Sequence, residues 1–298
     1  MRVLVSGSHG LIGRALATKL TDSGHVVVGL VRGPVQAGEV RWDPAAGTMD
    51  ASALEGFDAV VHLAGAPIGE HRWDEKQKDT IRRSRVEATA LLARTLAELA
   101  HPPVVMASGS AVGFYGDRGD EVLTESSARG QGFLADVVAD WESAAQPAVA
   151  AGIRVAFVRT GVVLADQGGA LARMLPIFKV GIGGRLGSGR QYFSWISLAD
   201  EVAAIIHLLQ SADLVGPVNL TAPNPVTNSA FTAALGRAVH RPAFMPVPTI
   251  GLNLAFGAEM TAEMLIGGQR VEPAALLASG FKFSHPTIDE ALRSVLAR

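Results

Sequence analysis

The chain has 298 residues, of which 48% are hydrophobic, enough to bury one large core or two smaller ones. Its formal net charge of −2 shows no basic excess, which excludes nucleic acid and anionic membrane as expected partners and favours a small-molecule ligand. Cysteine is absent, so disulfide staples, cysteine-bound zinc and a thiol nucleophile are excluded as well.

In chain order, MRVLVSGSHG holds three apolar residues before a glycine-rich turn, too few for a signal-peptide core. No run of about 18 apolar residues occurs anywhere, and a cytoplasmic protein is expected. VLV at 3–5 reads as a strand and LIGRALATKL as the helix that follows it, near 11–22. Between them Gly7, Gly10 and Gly13 permit a tight turn and close backbone approach to a pyrophosphate, while the helix start offers free N–H groups and a positive dipole end. The stretch predicts a dinucleotide site made by Gly7, Ser8, His9, Gly10, Leu11, Ile12 and Gly13.

The second strand, VVVGLV at 26–31, runs into Arg32, and no acid occurs between Ser23 and Gly38. A carboxylate there would hold the ribose 2′-OH of NAD, whereas a guanidinium can grip a 2′-phosphate, so NADP (NADPH) is the expected cofactor. The alternative is a solvated charge at a strand end.

Strands follow in DAVVHLAG at 58–65, VVMAS at 104–108, RVAFVR at 154–159 and VNLT at 218–221, with helical stretches near 75–100, 133–151 and 199–211. That alternation predicts an α/β fold, a doubly wound parallel sheet of Rossmann type over 1–165, rejoined by about 196–222. The rhythm breaks after 165, and 166–195 with 223–298 are expected to form a smaller substrate-side lobe. GIGGRLGSGRQ at 181–191 is not a nucleotide-hydrolase loop, because no Gly-Lys-Ser/Thr follows; it reads as a mobile lid or a tight crossing. The eight histidines have no metal-ligand spacing, and no metal is expected.

The stretches SGSHGLIG, VVHLAGAPI, SGSAVGFYGDRGDEVLTE, RTGVVL, GGRLGSGRQYFSWI, GPVNLTAPNPVTN and PAALLASGF together resemble the extended short-chain dehydrogenase/reductase superfamily. Within it the chain is similar to the group named epimerase family proteins, labelled as nucleoside-diphosphate-sugar epimerases. The resemblance implies that Ala64 and Gly65 pass beside the cofactor's adenine-side ribose and phosphates and that Ser108 and Ser110 follow the fifth strand. Ser110 then takes the place of a serine that hydrogen-bonds a substrate hydroxyl or carbonyl; its other reading is a turn at a strand end. Tyr115 could position a substrate oxygen or simply pack its ring. Arg85 stands where the superfamily has an asparagine, and either grips a phosphate or anionic substrate or is solvated on a charged helix. Arg190, Gln191, Ser194 and Trp195 are implied to wall a substrate pocket, against a plain ordered loop.

One departure is large. The superfamily carries Tyr and Lys four residues apart on one helical face, where the ammonium favours the phenolate. Aligned on Glu142, GFLADVVADWE puts Leu134 and Val138 at those positions. Four residues after Tyr115 comes Gly119, and four after Tyr192 comes Ile196, so the pair occurs nowhere else in the chain. Phe133, Val137 and Trp141 give this helix an apolar face for a core or a subunit contact, and the resemblance implies a homodimer. Two functions remain: an NADP(H)-dependent oxidoreductase or epimerase on a small polar substrate, nucleotide sugars included, or an NADPH-binding sensor without turnover.

Overall fold

A computed structural model describes residues 1–297. Strand β1 (Arg2–Ser6) leads into α1 (Leu11–Asp22), followed by β2 (Val26–Val31), β3 (Glu39–Asp43), β4 (Thr48–Met49) and β5 (Ala59–His62). Next come α2 (Glu75–Ala97), β6 (Val105–Ala111), β7 (Val122–Leu123), α3 (Phe133–Ser143), α4 (Gln146–Ala150), β8 (Arg154–Thr160) and β9 (Val162–Leu164). Beyond them lie α5 (Gly169–Lys179), β10 (Tyr192–Phe193), β11 (Trp195–Ser197), α6 (Leu198–Gln210), β12 (Gly216–Leu220), β13 (Val226–Thr227) and α7 (Asn228–Ala238). The chain closes with α8 (Thr249–Phe256), α9 (Ala258–Met260), a π-helical turn (Thr261–Ile266), β14 (Arg270–Val271), α10 (Ala274–Ala278) and α11 (Ile288–Leu296).

An 8-stranded sheet runs in the order β12-β8-β6-β5-β1-β2-β3-β4, parallel except at its β4 edge. The expected strands all fall in it. The edge strands β3 and β4 were not expected, because EVRWD mixes charge with apolar residues and lacks a β-branched run; Trp42 nevertheless anchors β3 in the core. The stretch expected as one helix over 133–151 is two, and Pro147 sits in the first turn of the second, where its missing N–H costs nothing and an unbroken helix would have needed it.

Alternation along the strands sends odd and even residues to opposite faces. Val3, Val5, Val61, Ala107 and Val158 pack against α1 and α6, while Leu4, Val60, Met106 and Val155 pack under α2 and α4. A third core, with Leu171, Leu175, Trp195, Phe231, Leu235 and Leu292, joins β9, β11, α5, α7 and α11. The C-terminal stretch does not stay in that third core: Leu276 of α10 returns to the α6 side of the main sheet. The apolar face of α3 is likewise spent inside its own chain, with Ala135, Val137, Val138 and Trp141 buried and Asp136 outward.

The glycine-rich 181–191 stretch is a tight crossing. A Cβ on Gly184 would collide with the Met245 carbonyl, and Gly187 N–H donates to Val247 O at 2.9 Å while Val247 N–H donates to Arg185 O at 2.9 Å. Among the described residues no helix is long and apolar enough to cross a membrane, and no cluster of His, Asp and Glu could hold a metal.

Candidate cofactor and substrate site

Strand order reverses around β1, with β2 on one side and β5 on the other, which opens a crevice at the carboxyl ends of these strands. The turn from β1 into α1 forms its floor. Gly7 has φ +72°, and a Cβ there would meet the Leu63 carbonyl group at 2.9 Å. A Cβ on Gly13 would sit about on top of the Gly7 carbonyl oxygen, at 2.2 Å, so only glycine lets α1 start this close to β1. Ser8, His9, Gly10, Leu11 and Ile12 span the turn, and α1 has no side-chain N-cap, which leaves its first N–H groups to a ligand. The Ser8 hydroxyl is buried at 3.0 Å from where a Gly29 Cβ would stand, without a hydrogen-bond partner among the described residues.

Arg32 is exposed at the end of β2 and makes no hydrogen bond or ion pair among the described residues. A carboxylate does reach this corner, from the neighbouring strand. Glu39 of β3 meets His9 Nε2 at 2.8 Å and accepts the Gln36 N–H at 2.8 Å. The sequence distance rule missed it because Glu39 lies just past the window in which an acid on β2's own exit is sought.

Across the crevice, the loop after β5 is fixed by a buried polar chain. Ser6 Oγ accepts from the N–H groups of Leu63 (3.2 Å) and Ala64 (3.3 Å), so its own hydrogen goes to His62 Nδ1 at 2.6 Å. His62 therefore carries its proton on Nε2 and donates it to Thr89 Oγ1 at 2.9 Å, where Trp141 Nε1–H also donates at 2.8 Å. Burial holds the His62 imidazole neutral, with its pKa pushed down to about 4. The result is a rigid mounting for Ala64 and Gly65 that links β1, β5, α2 and α3. Arg85 lies against Gly65, its guanidinium carbon 3.3 Å from a Gly65 Cβ position.

Ser108 does not follow the strand but lies in the middle of β6, wholly buried with its hydroxyl unpartnered among the described residues. Ser110 donates to Glu142 Oε1 at 2.6 Å. Glu142 is gripped by Arg159 of β8 through Nε–Oε1 at 2.8 Å and Nη2–Oε2 at 2.9 Å. Burial alone would lower the Arg159 pKa, but the Glu142 carboxylate outweighs it and the net shift is upward. Sequence reading used Glu142 only as a landmark; nothing in the spacing of residues 142 and 159 announces a pair made across two elements.

Tyr115 does not stand at the reacting end. It is fully buried, its hydroxyl donating to Asn219 Oδ1 at 2.7 Å and accepting from Arg159 Nη1 at 3.0 Å, and burial raises its pKa. The role of donor to a substrate oxygen is corrected to a core strut, because the four-residue helical turn at Val112–Tyr115 turns the ring inward onto β12. Trp195 is corrected likewise: it is wholly buried in the third core. Gln191 spends its amide on the Leu186 and Leu265 carbonyls at 3.1 and 3.0 Å, while the Arg190 guanidinium is exposed and unpartnered among the described residues.

On α3, Leu134 is half-buried and Val138 is buried. The helix start is capped from far away: Glu263 accepts from the N–H groups of Phe133 and Leu134, both at 2.8 Å. Lone glycine Gly132, φ +112°, makes room for that carboxylate, which would lie 2.9 Å from a Cβ.

A glycine cradle that a Cβ would fill, two buried hydroxyls without partners and a free guanidinium at the β2 exit fit a phosphorylated dinucleotide. Comparison with known proteins agrees. Residues 3–220 match the family described as NAD dependent epimerase/dehydratase, and residues 247–295 match a domain of unknown function. An epimerase family protein of Mycobacterium bovis is 47% identical over 291 residues, covering 97% of this chain and 96% of that protein. The crystal structure of human epimerase family protein SDR39U1 with NADPH superposes with a TM-score of 0.91 at 35% identity, over 100% of both chains. A nucleoside-diphosphate sugar epimerase from Corynebacterium glutamicum superposes with a TM-score of 0.81 at 40% identity, over 99% of this chain and 58% of that one. The chain belongs to the NAD dependent epimerase/dehydratase family.

Proposed function

We propose that this protein binds NADPH and acts as an oxidoreductase on a small polar carbonyl or hydroxyl compound, without a Tyr/Lys pair. The α1 turn holds the pyrophosphate, Arg32 the 2′-phosphate, and Ala64 and Gly65 pass beside the adenine-side ribose and phosphates, with Ser108 beyond them; the NADPH in the human relative supports the cofactor reading. The bound cofactor would supply hydride to a carbonyl when reduced, or take it from the alcohol carbon when oxidised. The observation that carries the proton role is the 2.6 Å bond from Ser110 to Glu142. With its hydrogen held by the carboxylate, Ser110 Oγ presents lone pairs and accepts from a substrate hydroxyl. A proton leaving that hydroxyl passes to Ser110 as Ser110 releases its own to Glu142, and the same path runs backwards in carbonyl reduction. The outer lobe of 166–195 and 223–298, with the free Arg190, is the substrate side in this reading.

The test is a panel of carbonyl compounds and nucleotide sugars incubated with protein and NADPH, followed by the absorbance of the reduced nicotinamide. Turnover on at least one carbonyl compound is expected, with Ser110→Ala lowering it by about 100-fold or more. Glu142→Gln is expected to move the pH–rate profile as well as lower the rate. Sensing without turnover is a second reading, favoured by Leu134 and Val138, which put no phenol on α3, and by the burial of Tyr115. Tight NADPH binding with no turnover across the panel selects it.

A further inference from the structure

Arg85 leaves α2 and lies flat beside the loop after β5. A Cβ on Gly65 would stand 3.3 Å from its Cζ, 3.4 Å from Nη2 and 3.5 Å from Nη1, so the guanidinium plane fills the space that Gly65's missing side chain leaves. The Trp141 ring lies 5.2 Å away. Arg85 makes one hydrogen bond among the described residues, from Nη1 to the Ile81 carbonyl at 3.0 Å. Its neighbours on α2 are neutralised, Arg82 by Asp140 and Arg83 by Glu87. No carboxylate acts on Arg85, and burial pulls its pKa down to about 10, still far above neutrality. The helix thus delivers a fixed, half-buried cation without a counter-ion.

Its place relative to the crevice follows from the topology. A dinucleotide lies across the point where strand order reverses, with its adenosine half toward β2 and Arg32 and its other half over β5 and β6. Gly7 is flush with Leu63, which puts the loop after β5 beside the pyrophosphate turn; from Gly65 the Arg85 guanidinium reaches toward Trp141 of α3, the helix that the resemblance puts at the reacting end, and so borders the nicotinamide half. Of the other charges on that side, Glu142 pairs with Arg159 and Lys78 with Glu259 at 3.0 Å, while the Glu263 carboxylate is taken up by the N–H groups at the start of α3.

The reduced nicotinamide ring is neutral and the oxidised ring carries a positive charge. We infer that Arg85 makes this crevice selective for redox state, holding NADPH in preference to NADP⁺ by repelling the oxidised ring. The inference rests on the NADPH reading above and goes beyond it, since it assigns a preference that the phosphates and the adenosine, identical in the two forms, cannot create.

Dissociation constants of the full chain for NADPH, NADP⁺ and 2′,5′-ADP, which has no nicotinamide, test it in wild type, Arg85→Gln and Arg85→Lys. Wild type is expected to prefer NADPH by about tenfold or more, as a unit charge several ångströms away would impose at a partly screened site. Arg85→Gln should narrow that ratio by about tenfold, chiefly by tightening NADP⁺, and leave 2′,5′-ADP unchanged. Arg85→Lys should keep most of the preference. If Arg85→Gln does not fold, Gly65→Ala, whose methyl displaces the guanidinium, is expected to narrow the ratio instead. Equal wild-type affinities for the two forms, an unchanged ratio in Arg85→Gln, or an equal loss of 2′,5′-ADP binding overturns the inference. Failure of wild type to bind either NADP form is a separate result and overturns the cofactor reading itself.

Discussion

Two polar clusters lie a strand or two apart at the same end of the sheet, and they differ in whether they are complete. Around the β1–α1 turn and the loop after β5, Ser8 and Ser108 are buried without partners, Arg32 is free and Arg85 uses one of its donors. Around Tyr115, Arg159 satisfies Glu142 twice and Tyr115 once, and Tyr115 passes its hydrogen to Asn219. A buried hydroxyl without a partner costs about 1–3 kcal/mol, so an incomplete cluster persists where a ligand or water completes it. A complete one holds its members fixed, here the Glu142 carboxylate that takes the Ser110 hydrogen. The difference separates the part of the crevice that receives the cofactor from the part that holds its shape and mounts Ser110.

The comparison breaks most directly at Gly13. Gly13→Ala pushes a methyl into the Gly7 carbonyl and opens the α1 turn, and NADPH affinity is expected to fall by about 100-fold or more, read by nicotinamide fluorescence titration. Binding at wild-type strength would show that the incomplete cluster is not the phosphate cradle.

On the complete side, Arg159→Met leaves the Glu142 carboxylate buried and uncompensated and removes a partner from Tyr115. Stability should drop by about 3–5 kcal/mol in urea unfolding, and Arg159→Met with Glu142→Leu should regain much of it, because apolar packing replaces a buried ion pair at little net loss. A double variant no more stable than the single one would deny that the pair is the reason for the loss.

Glu201 sharpens the comparison, since it is an incomplete group away from the cofactor. On α6 it is wholly buried, accepts from Thr160 Oγ1 at 2.8 Å and has no partner for its second oxygen among the described residues. Here a proton completes the group: burial raises its pKa to about 8, so it is neutral at pH 7. The unfolded chain loses that proton near the ordinary 4.5, hence stability is full below that pH and falls as pH rises to about 8, then levels. Glu201→Gln should flatten this decline, worth on the order of 3 kcal/mol across the window, in melts taken from pH 5 to 9. His62 acts in the opposite sense: with its pKa at about 4 against 6.5 unfolded, its contribution is present above 6.5 and is lost as pH falls through about 4.

What could be read ahead of the structure follows from how local each signal is. The glycine turn, the β-branched strands and the order of the sheet are written in short contiguous runs, and the structure places them at those residues. Partnerships across elements are not written locally. Nothing in the sequence tells that Glu263 caps α3 from 130 residues away, that Tyr115 turns inward to Asn219, or that Glu142 holds both Ser110 and Arg159. That no Tyr-x-x-x-Lys run occurs in the chain is legible because it needs no partner to be read.

The smallest expected effect concerns the corner where sequence and structure disagree in emphasis. Arg32 is the free cation there, but Glu39 brings a carboxylate against His9 that strand-exit reading did not see. If the 2′-phosphate is gripped by Arg32, Arg32→Ala should weaken NADPH by about tenfold and leave NADH untouched, a modest loss because an exposed guanidinium works in high dielectric. Glu39→Gln should leave NADPH binding intact or slightly tighter, since its charge only opposes the phosphate. The reverse pattern, Glu39→Gln lowering NADH affinity while Arg32→Ala changes nothing, would mean that the corner holds a ribose hydroxyl through Glu39, and the incomplete cluster would then be built for NAD at its adenosine end.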